Sequence, residues 1–511
     1  MYSMKGTEQN NGGGHHHDGR LRVVMFPWLG FGHVSPFLEL GKKLSLRNFE
    51  IYICSTPATL EPVKKKLAAA TAGDAASVSF LELTLPSSPE LPPQNHTTNG
   101  LPPHLMPHLK EAFEASRPAF AQLLRDIKPD LLIYDFLPPW APQEAEGLGI
   151  PAIQFITMSS TFTCFKFQQF NQPGVEFPFP TIRYRDYELA RMAKANASTP
   201  RERREKDERS VRDCFSRSCG LVLIKTYDEI EGQYSNFLTT LTGKRIVPVG
   251  ALVQEPSKED GESEAIEWLN GKEEKSTVFV SFGSEYFLTE EDLTEIAHGL
   301  FLSNLNFLWV LRFPKGGNRD NLKHVFRFLE RVGDRGLVVD GWAPQAKILE
   351  HPSIGGFVSH CGWSSVMEGM KYGVPIIAMP MHIDQPVNTK LAAEVGVAME
   401  VVRDNSGKHH RRKIAAVIEM VVQGEGGKGV RAKAAAMREM LAEKGDKEID
   451  KVAEELRKLC AKNLCRRSQK VLHIKSKITA ATNGYKVVLA VLVMAFLIFF
   501  LRKTVENPWQ N

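Results

Sequence analysis

At 511 residues the chain is too long for one hydrophobic core, which calls for two domains plus extra segments. A composition of 43% hydrophobic and 24% charged residues excludes global disorder, and a formal net charge of +5 on this length excludes a nucleic-acid footprint. The seven cysteines are scattered and lack C-x-x-C or His/Cys zinc spacing, so free thiols in a reducing compartment are expected.

Residues 1–20 are polar and carry no apolar signal core, and they read as a disordered lead-in. Structure is expected to begin at Leu21, where LRVVMFP has the form of a buried parallel strand. A glycine-bearing turn, WLGFGHVSPF, leads to the helical spacing of LELGKKLSLRN and a second strand over Phe49–Cys54. This strand-turn-helix-strand order opens a doubly wound α/β sheet. Further strands are predicted at Val78–Leu83, Leu131–Tyr134, Ala152–Ile156 and Leu221–Lys225, with a helix over Leu105–Ile127. The charge-dense stretch Tyr184–Arg212 reads as a solvated helical excursion without a partner. After VPVGALV, the acidic run EPSKEDGESE is expected to link two domains, 21–250 and 251–463.

A second alternation follows, with strands at Thr277–Gly283, Asn306–Arg312, Leu337–Asp340, Ile354–Val358, Val374–Met379 and Ala398–Val402. Helices are predicted at Glu290–Phe301, from Lys413, from Val430 and over Asp446–Leu459. Residues 464–511 break the pattern: a basic run precedes the apolar stretch Val487–Leu501, which Arg502 and Lys503 follow. Fifteen helical residues reach about 22 Å, short of a ~30 Å bilayer core, and flanking Lys486 and Arg502 can snorkel. The positive charge on its N-terminal side predicts a tail anchor with the rest of the chain in the cytosol.

Chemistry is expected where strands end. The turn Gly30-Phe-Gly32-His33-Val-Ser35 is a weak dinucleotide fingerprint, because Ser35 stands where a third Gly or Ala is expected. It nevertheless sets His33 at the carboxyl end of the first strand, as a proton acceptor near pH 7 or as a helix cap. Asp135 ends the Leu131–Tyr134 strand, either orienting His33 or capping a loop. Ser284 follows a strand and a glycine, a place for a hydroxyl to meet phosphate. The 44 residues from Trp342 to Gln385 gather the rest. Trp342 offers a flat face to a base, and the turn His360–Ser365 enters a helix carrying Glu368. Backbone N–H groups there would cradle a diphosphate without a metal, while Asp384 and Gln385 grip sugar hydroxyls.

WAPQ, HCGW, Glu368, GVP and the closing Asp-Gln make this stretch resemble the signature box of plant secondary-product UDP-glycosyltransferases. The resemblance runs from about Leu21 to Asn463. HTTNGLPPHLMP and SHCGWSSVMEGMKYGVPIIAMPMHIDQP resemble the branch that adds a sugar to a sugar already carried by a small molecule. It implies a GT-B fold, two Rossmann-like domains facing across a cleft, with acceptor in the first and UDP-sugar in the second. It implies inverting, metal-independent hexosyl transfer, with His33 as general base and Asp135 as its orienting partner. Trp342 matches the uracil-stacking residue, Gln345 and Glu368 the ribose ligands, and His360, Ser365 and Ser284 the diphosphate ligands. Trp363, Asp384 and Gln385 match sugar contacts, and Ala343 and Ser364 complete the donor set, Ser364 standing where Asn is commoner. A glutamine at 385 goes with glucose donors. A monomer is expected, with UDP-glucose or another UDP-sugar as co-substrate, no cofactor or metal, and a lipophilic terpenoid, apocarotenoid or flavonoid glycoside as acceptor. An epimerase or oxidoreductase acting on nucleotide sugars, or a non-catalytic membrane-tethered binding protein, are the alternatives.

Overall fold

A computed structural model describes residues 19–69, 77–197, 199–256, 263–284, 286–313 and 331–465. Seven strands form the first sheet: β1 (Leu21–Phe26), β2 (Phe49–Ser55), β3 (Val78–Glu82), β4 (Leu131–Tyr134), β5 (Ala152–Ile156), β6 (Leu221–Ile224) and β7 (Arg245–Pro248). Six form the second: β8 (Thr277–Ser281), β9 (Asn306–Leu311), β10 (Gly336–Asp340), β11 (Ile354–Ser359), β12 (Ile376–Ala378) and β13 (Ala398–Glu400). Their orders are β3-β2-β1-β4-β5-β6-β7 and β10-β9-β8-β11-β12-β13. Every pairing is parallel. Helices cover both faces, so β4, β5, β6, β8 and β11 are buried at every residue, which is why they read as unbroken apolar runs. The two doubly wound α/β sheets expected from the sequence are both present.

Strand order places the site. In the first sheet the winding reverses between β1 and β4, and in the second between β8 and β11. Loops leaving adjacent strands at such a reversal run in opposite directions and open a crevice at the carboxyl ends. The first crevice lies between the loops at Pro27–Gly30 and Asp135. The second lies between the loops at Phe282–Ser284 and His360–Gly362. Both sheets belong to one compact unit, Met1–Glu454. Of the second unit, Glu455–Asn511, residues 455–465 are described, and they are helical.

Two expectations are corrected. The single helix over Leu105–Ile127 is two, Met106–Ala115 and Arg117–Ile127, meeting at Ser116. Pro118 stands in the first turn of the second helix, where it needs no N–H but cannot continue a preceding one. The charged excursion, helices Asp186–Ala197 and Arg201–Ser216, does have partners. Lys110 and Glu114 hold Asp207 and Lys206, each at 2.8 Å. Arg185 grips both oxygens of Glu400 in the second half, at 3.2 and 2.6 Å. Arg191 donates to the Met381 carbonyl. The lead-in up to residue 18, the linker core 257–262 and the tail from 466, with its apolar run 487–501, lie outside the described residues. No helix among the described residues is long and apolar enough to cross a membrane.

Gly355 shows how closely the second sheet is built. The β8–β11 register shifts between Ile354 and Gly356, and a Cβ on Gly355 would stand 2.3 Å from the Lys275 carbonyl oxygen. A backbone oxygen cannot swing away as a side chain can. Gly355→Ala should therefore destabilise the protein by about 2 kcal/mol or more, read as a lowered thermal unfolding midpoint. An unchanged midpoint would refute this account of the bulge.

Candidate active site

His33 stands in the first turn of the helix Phe31–Ser45, directly after β1. Asp135 follows β4, whose Tyr134 lies in register with Phe26. The ring Nδ1 of His33 is 2.9 Å from Asp135 Oδ2, and the carboxylate has no solvent exposure. Backbone N–H groups of Trp28 and Phe136 donate to its two oxygens, at 2.9 and 2.7 Å. With a carboxylate as acceptor, Nδ1 carries the hydrogen and the basic lone pair lies on Nε2. Phe136 stacks on the imidazole at 5.2 Å, and Thr157 Oγ1 lies 3.0 Å from Nδ1. The ring is thus held at one edge and one face.

In the second half, His360 ends the strand of the box and sits between the loops after β8 and β11. A Cβ on Gly283 would come within 2.8 Å of its Nε2, and one on Gly362 within 2.6 Å. Only glycines leave room for the ring there. Burial pushes its pKa down to about 4, with His382 nearby adding to the shift, so the imidazole is neutral at pH 7. Cys361 beside it has φ 62°, a left-handed turn that a non-glycine residue adopts only under local strain. That turn leads into the helix Trp363–Tyr372, whose N-cap Gly362 supplies no side-chain hydrogen bond and whose first turn holds no acid. Its leading N–H groups and helix dipole form an anion-binding end. The helix Glu290–Leu302 is built the opposite way, capped by Thr289 and carrying Glu290, Glu291 and Asp292 in its first turn.

The remaining box residues divide by what they can offer. Trp342 is 55% exposed, next to buried Ala343. Gln345 donates its amide to Glu368. Ser365 is buried in the first turn of the Trp363 helix, and Ser284 is half-buried after β8. Trp363 points its side chain inward. Its indole is 3% exposed and its Nε1–H donates to the Lys225 carbonyl at 2.6 Å. Ser364 Oγ accepts from Lys225 Nζ at 2.8 Å. Gln385 Oε1 accepts from the N–H groups of Met381 and His382, both at 2.9 Å, which leaves its amide hydrogens for other acceptors.

Asn388 joins the halves and holds Asp384. Asn388 Nδ2 donates to it at 2.8 Å and to the Cys361 carbonyl at 3.0 Å, while Asn388 Oδ1 accepts from Ser159 of the first half at 2.7 Å. Burial raises the pKa of the Asp384 carboxyl, against the pull of Asn388 and of His33 across the cleft. The base candidate and the donor box therefore face one another. The sequence reading passed over Thr157, Ser159, Lys225 and Asn388. Thr157 and Lys225 each stand one residue beyond a fully buried strand, the one signal that would have marked them. Among the described residues no group of three or more His, Cys, Asp or Glu side chains is placed to hold a metal ion.

Comparison with known proteins bears on the family and the fold. The model of a glycosyltransferase N-terminal domain matches residues 20–254, and that of UDP-glucoronosyl and UDP-glucosyl transferase matches residues 244–429. UDP-glucosyltransferase 29 of Panax ginseng is 48% identical over 451 residues, 87% of this chain and 98% of that protein. The beta-D-glucosyl crocetin beta-1,6-glucosyltransferase of Gardenia jasminoides is 47% identical over 442 residues, 85% of this chain and 98% of its own. The crystal structure of Glycyrrhiza uralensis UGT73P12 complexed with glycyrrhetinic acid 3-O-monoglucuronide shares the fold. Its TM-score is 0.76 at 22% identity, over 89% of this chain and 99% of that one. Relatives nearly half identical along almost their whole length, on a GT-B framework of two parallel sheets, make this chain a member of the plant UDP-glycosyltransferases.

Proposed function

We propose that this enzyme transfers glucose from UDP-glucose to a hydroxyl of a lipophilic small molecule that already carries a sugar. The transfer inverts the anomeric centre and needs no metal. The observation that carries the proposal is the His33–Asp135 pair, with Nδ1 tied down at 2.9 Å and Nε2 left as the basic atom, opposite Asp384 of the donor half. Residues 21–250 hold the acceptor and 251–463 the donor. The Gardenia relative is named for an acceptor that already bears glucose, and both named relatives are glucosyltransferases. Gln385 and the sugar-on-sugar motifs favour the same donor and acceptor class.

The steps follow from the geometry. His33 Nε2 takes the proton of the acceptor hydroxyl, and Asp135, already hydrogen-bonded to Nδ1–H, stabilises the imidazolium that forms. The oxygen attacks the anomeric carbon from the side opposite the UDP, the carbon–oxygen bond to the diphosphate breaks, and configuration inverts. The diphosphate rests on the N–H groups of Trp363, Ser364 and Ser365, with Ser284 and His360 from the flanking loops. Negative charge grows there as UDP leaves, so the helix end stabilises the transition state more than the ground state. Trp342 stacks on uracil, Gln345 and Glu368 hold ribose, and Asp384 and Gln385 hold the glucose hydroxyls.

His33→Ala should lower kcat by about 10²–10⁴-fold with UDP affinity unchanged, and Asp135→Asn by about 10³–10⁴-fold through loss of the correct tautomer. Near-normal turnover in either variant would end this mechanism. Mass spectrometry of reactions with paired acceptors should show transfer to glucosylated terpenoids, apocarotenoids or flavonoids and little to their aglycones. The reverse preference would reject the sugar-on-sugar reading. We further propose, from the basic run and Val487–Leu501, that the tail fastens the catalytic halves to the cytosolic face of a membrane. The full chain should sediment with membranes, whereas a chain ending at Asn463 should stay in the supernatant. Equal partition of the two would dismiss the anchor.

A further inference from the structure

The reaction as described leaves one buried charge without a task. Lys225 follows β6 in the first half and is 1% exposed. Its main chain is fixed, with the N–H on the Ile156 carbonyl at 3.0 Å and the carbonyl receiving the indole N–H of Trp363. Its ammonium donates to Ser364 Oγ at 2.8 Å, its one hydrogen bond among the described residues, although an ammonium carries three donors. Two acids act on it through space, Glu368 from the Trp363 helix and Glu39 from the Phe31 helix. Neither is hydrogen-bonded to it: Glu39 holds Lys42 at 2.8 Å and Glu368 holds Gln345. Buried cations are normally paired, because an unmatched one loses its hydration without replacement.

We propose that Lys225 is a donor-positioning residue, whose ammonium reaches from the first half to the first turn of the Trp363 helix and pairs with the diphosphate bound there. The inference rests on the diphosphate site proposed above. A full positive charge at an uncapped helix end answers the charge of UDP with no acid between them, and it orients the Ser364 hydroxyl toward the phosphate oxygens. Because Lys225 belongs to the acceptor half, the donor site is complete only when the halves are together. Burial lowers the Lys225 amine to about 8, against the raising pull of Glu368 and Glu39, so the free enzyme can lose this proton in mildly alkaline solution. Bound diphosphate favours the protonated form and raises that pKa. UDP affinity is then full below pH 8 and declines as pH rises above it.

Calorimetric titration of the full chain and of Lys225→Met with UDP and with uridine, at pH 7 and pH 9, tests the assignment. Wild type should bind UDP up to about tenfold more weakly at pH 9 than at pH 7, with uridine indifferent to pH. K225M should bind UDP about tenfold or more below wild type at pH 7, keep uridine affinity within about twofold, and lose the pH dependence. Retained uridine binding also reports that the variant folds. UDP affinity unchanged in K225M, an equal loss for uridine, or a pH dependence that survives the substitution would overturn the role of Lys225 alone. Wild-type protein that binds neither nucleotide would overturn the donor site and this inference with it.

Discussion

Asp135 is a carboxylate with no contact with water, and three N–H groups replace the hydration it gave up. Two come from the backbone at Trp28 and Phe136, and the third is Nδ1–H of His33. A buried carboxylate without such donors would cost several kcal/mol, so the loops after β1 and β4 must lie where they do. That is possible because β1 and β4 are parallel neighbours at the reversal of winding, with Phe26 opposite Tyr134. The imidazole inherits its orientation from this arrangement. Its donor edge meets Asp135 and Thr157, and its face meets Phe136.

The second sheet applies the same topology to a different charge. Its reversal lies between β8 and β11, and the loops leaving those strands carry Ser284 and His360. His360 fits because Gly283 and Gly362 have no Cβ, and burial keeps it uncharged. The Trp363 helix begins without acid, whereas the Glu290 helix begins with three acids and a threonine cap. A side-chain cap such as Thr289 is worth about 1 kcal/mol.

What could be read from the sequence follows from how local each cause is. Buried parallel strands need unbroken apolar runs, so LLIY and AIQFI were legible to the residue. The meeting of His33 and Asp135 was legible as well, because two strand ends in one crevice leave few other places for them. Thr157 and Lys225 were not, since their importance depends on which strand neighbours which and on what the second half brings opposite. The direction of the Trp363 indole was not legible either, because residue type says nothing of direction. The left-handed Cys361 and the Lys225 carbonyl turn that ring inward. Charge density misled at Tyr184–Arg212 for a related reason: the partner of Arg185 is Glu400, 215 residues away, and no local pattern announces it.

These distant contacts also determine how the halves are held. Lys43 and Arg47 meet Asp446 and Asp450 at the rim, where solvent screens them and each pair contributes about 0–1 kcal/mol. The contacts nearest the chemistry are of another kind. Ser159 to Asn388 and Trp363 to the Lys225 carbonyl are buried hydrogen bonds, and losing one partner would strand the other away from water at about 1–3 kcal/mol. The same Asn388 holds Asp384, and the same Lys225 holds Ser364. The bonds that fix one half against the other are thus shared with residues proposed to meet the donor. Proton transfer and displacement on a sugar tolerate errors of well under 1 Å. An ion pair at the rim cannot enforce that, because its charged ends move freely in water. A hydrogen bond shut inside the cleft can, and the halves come into register where the reaction needs them to be.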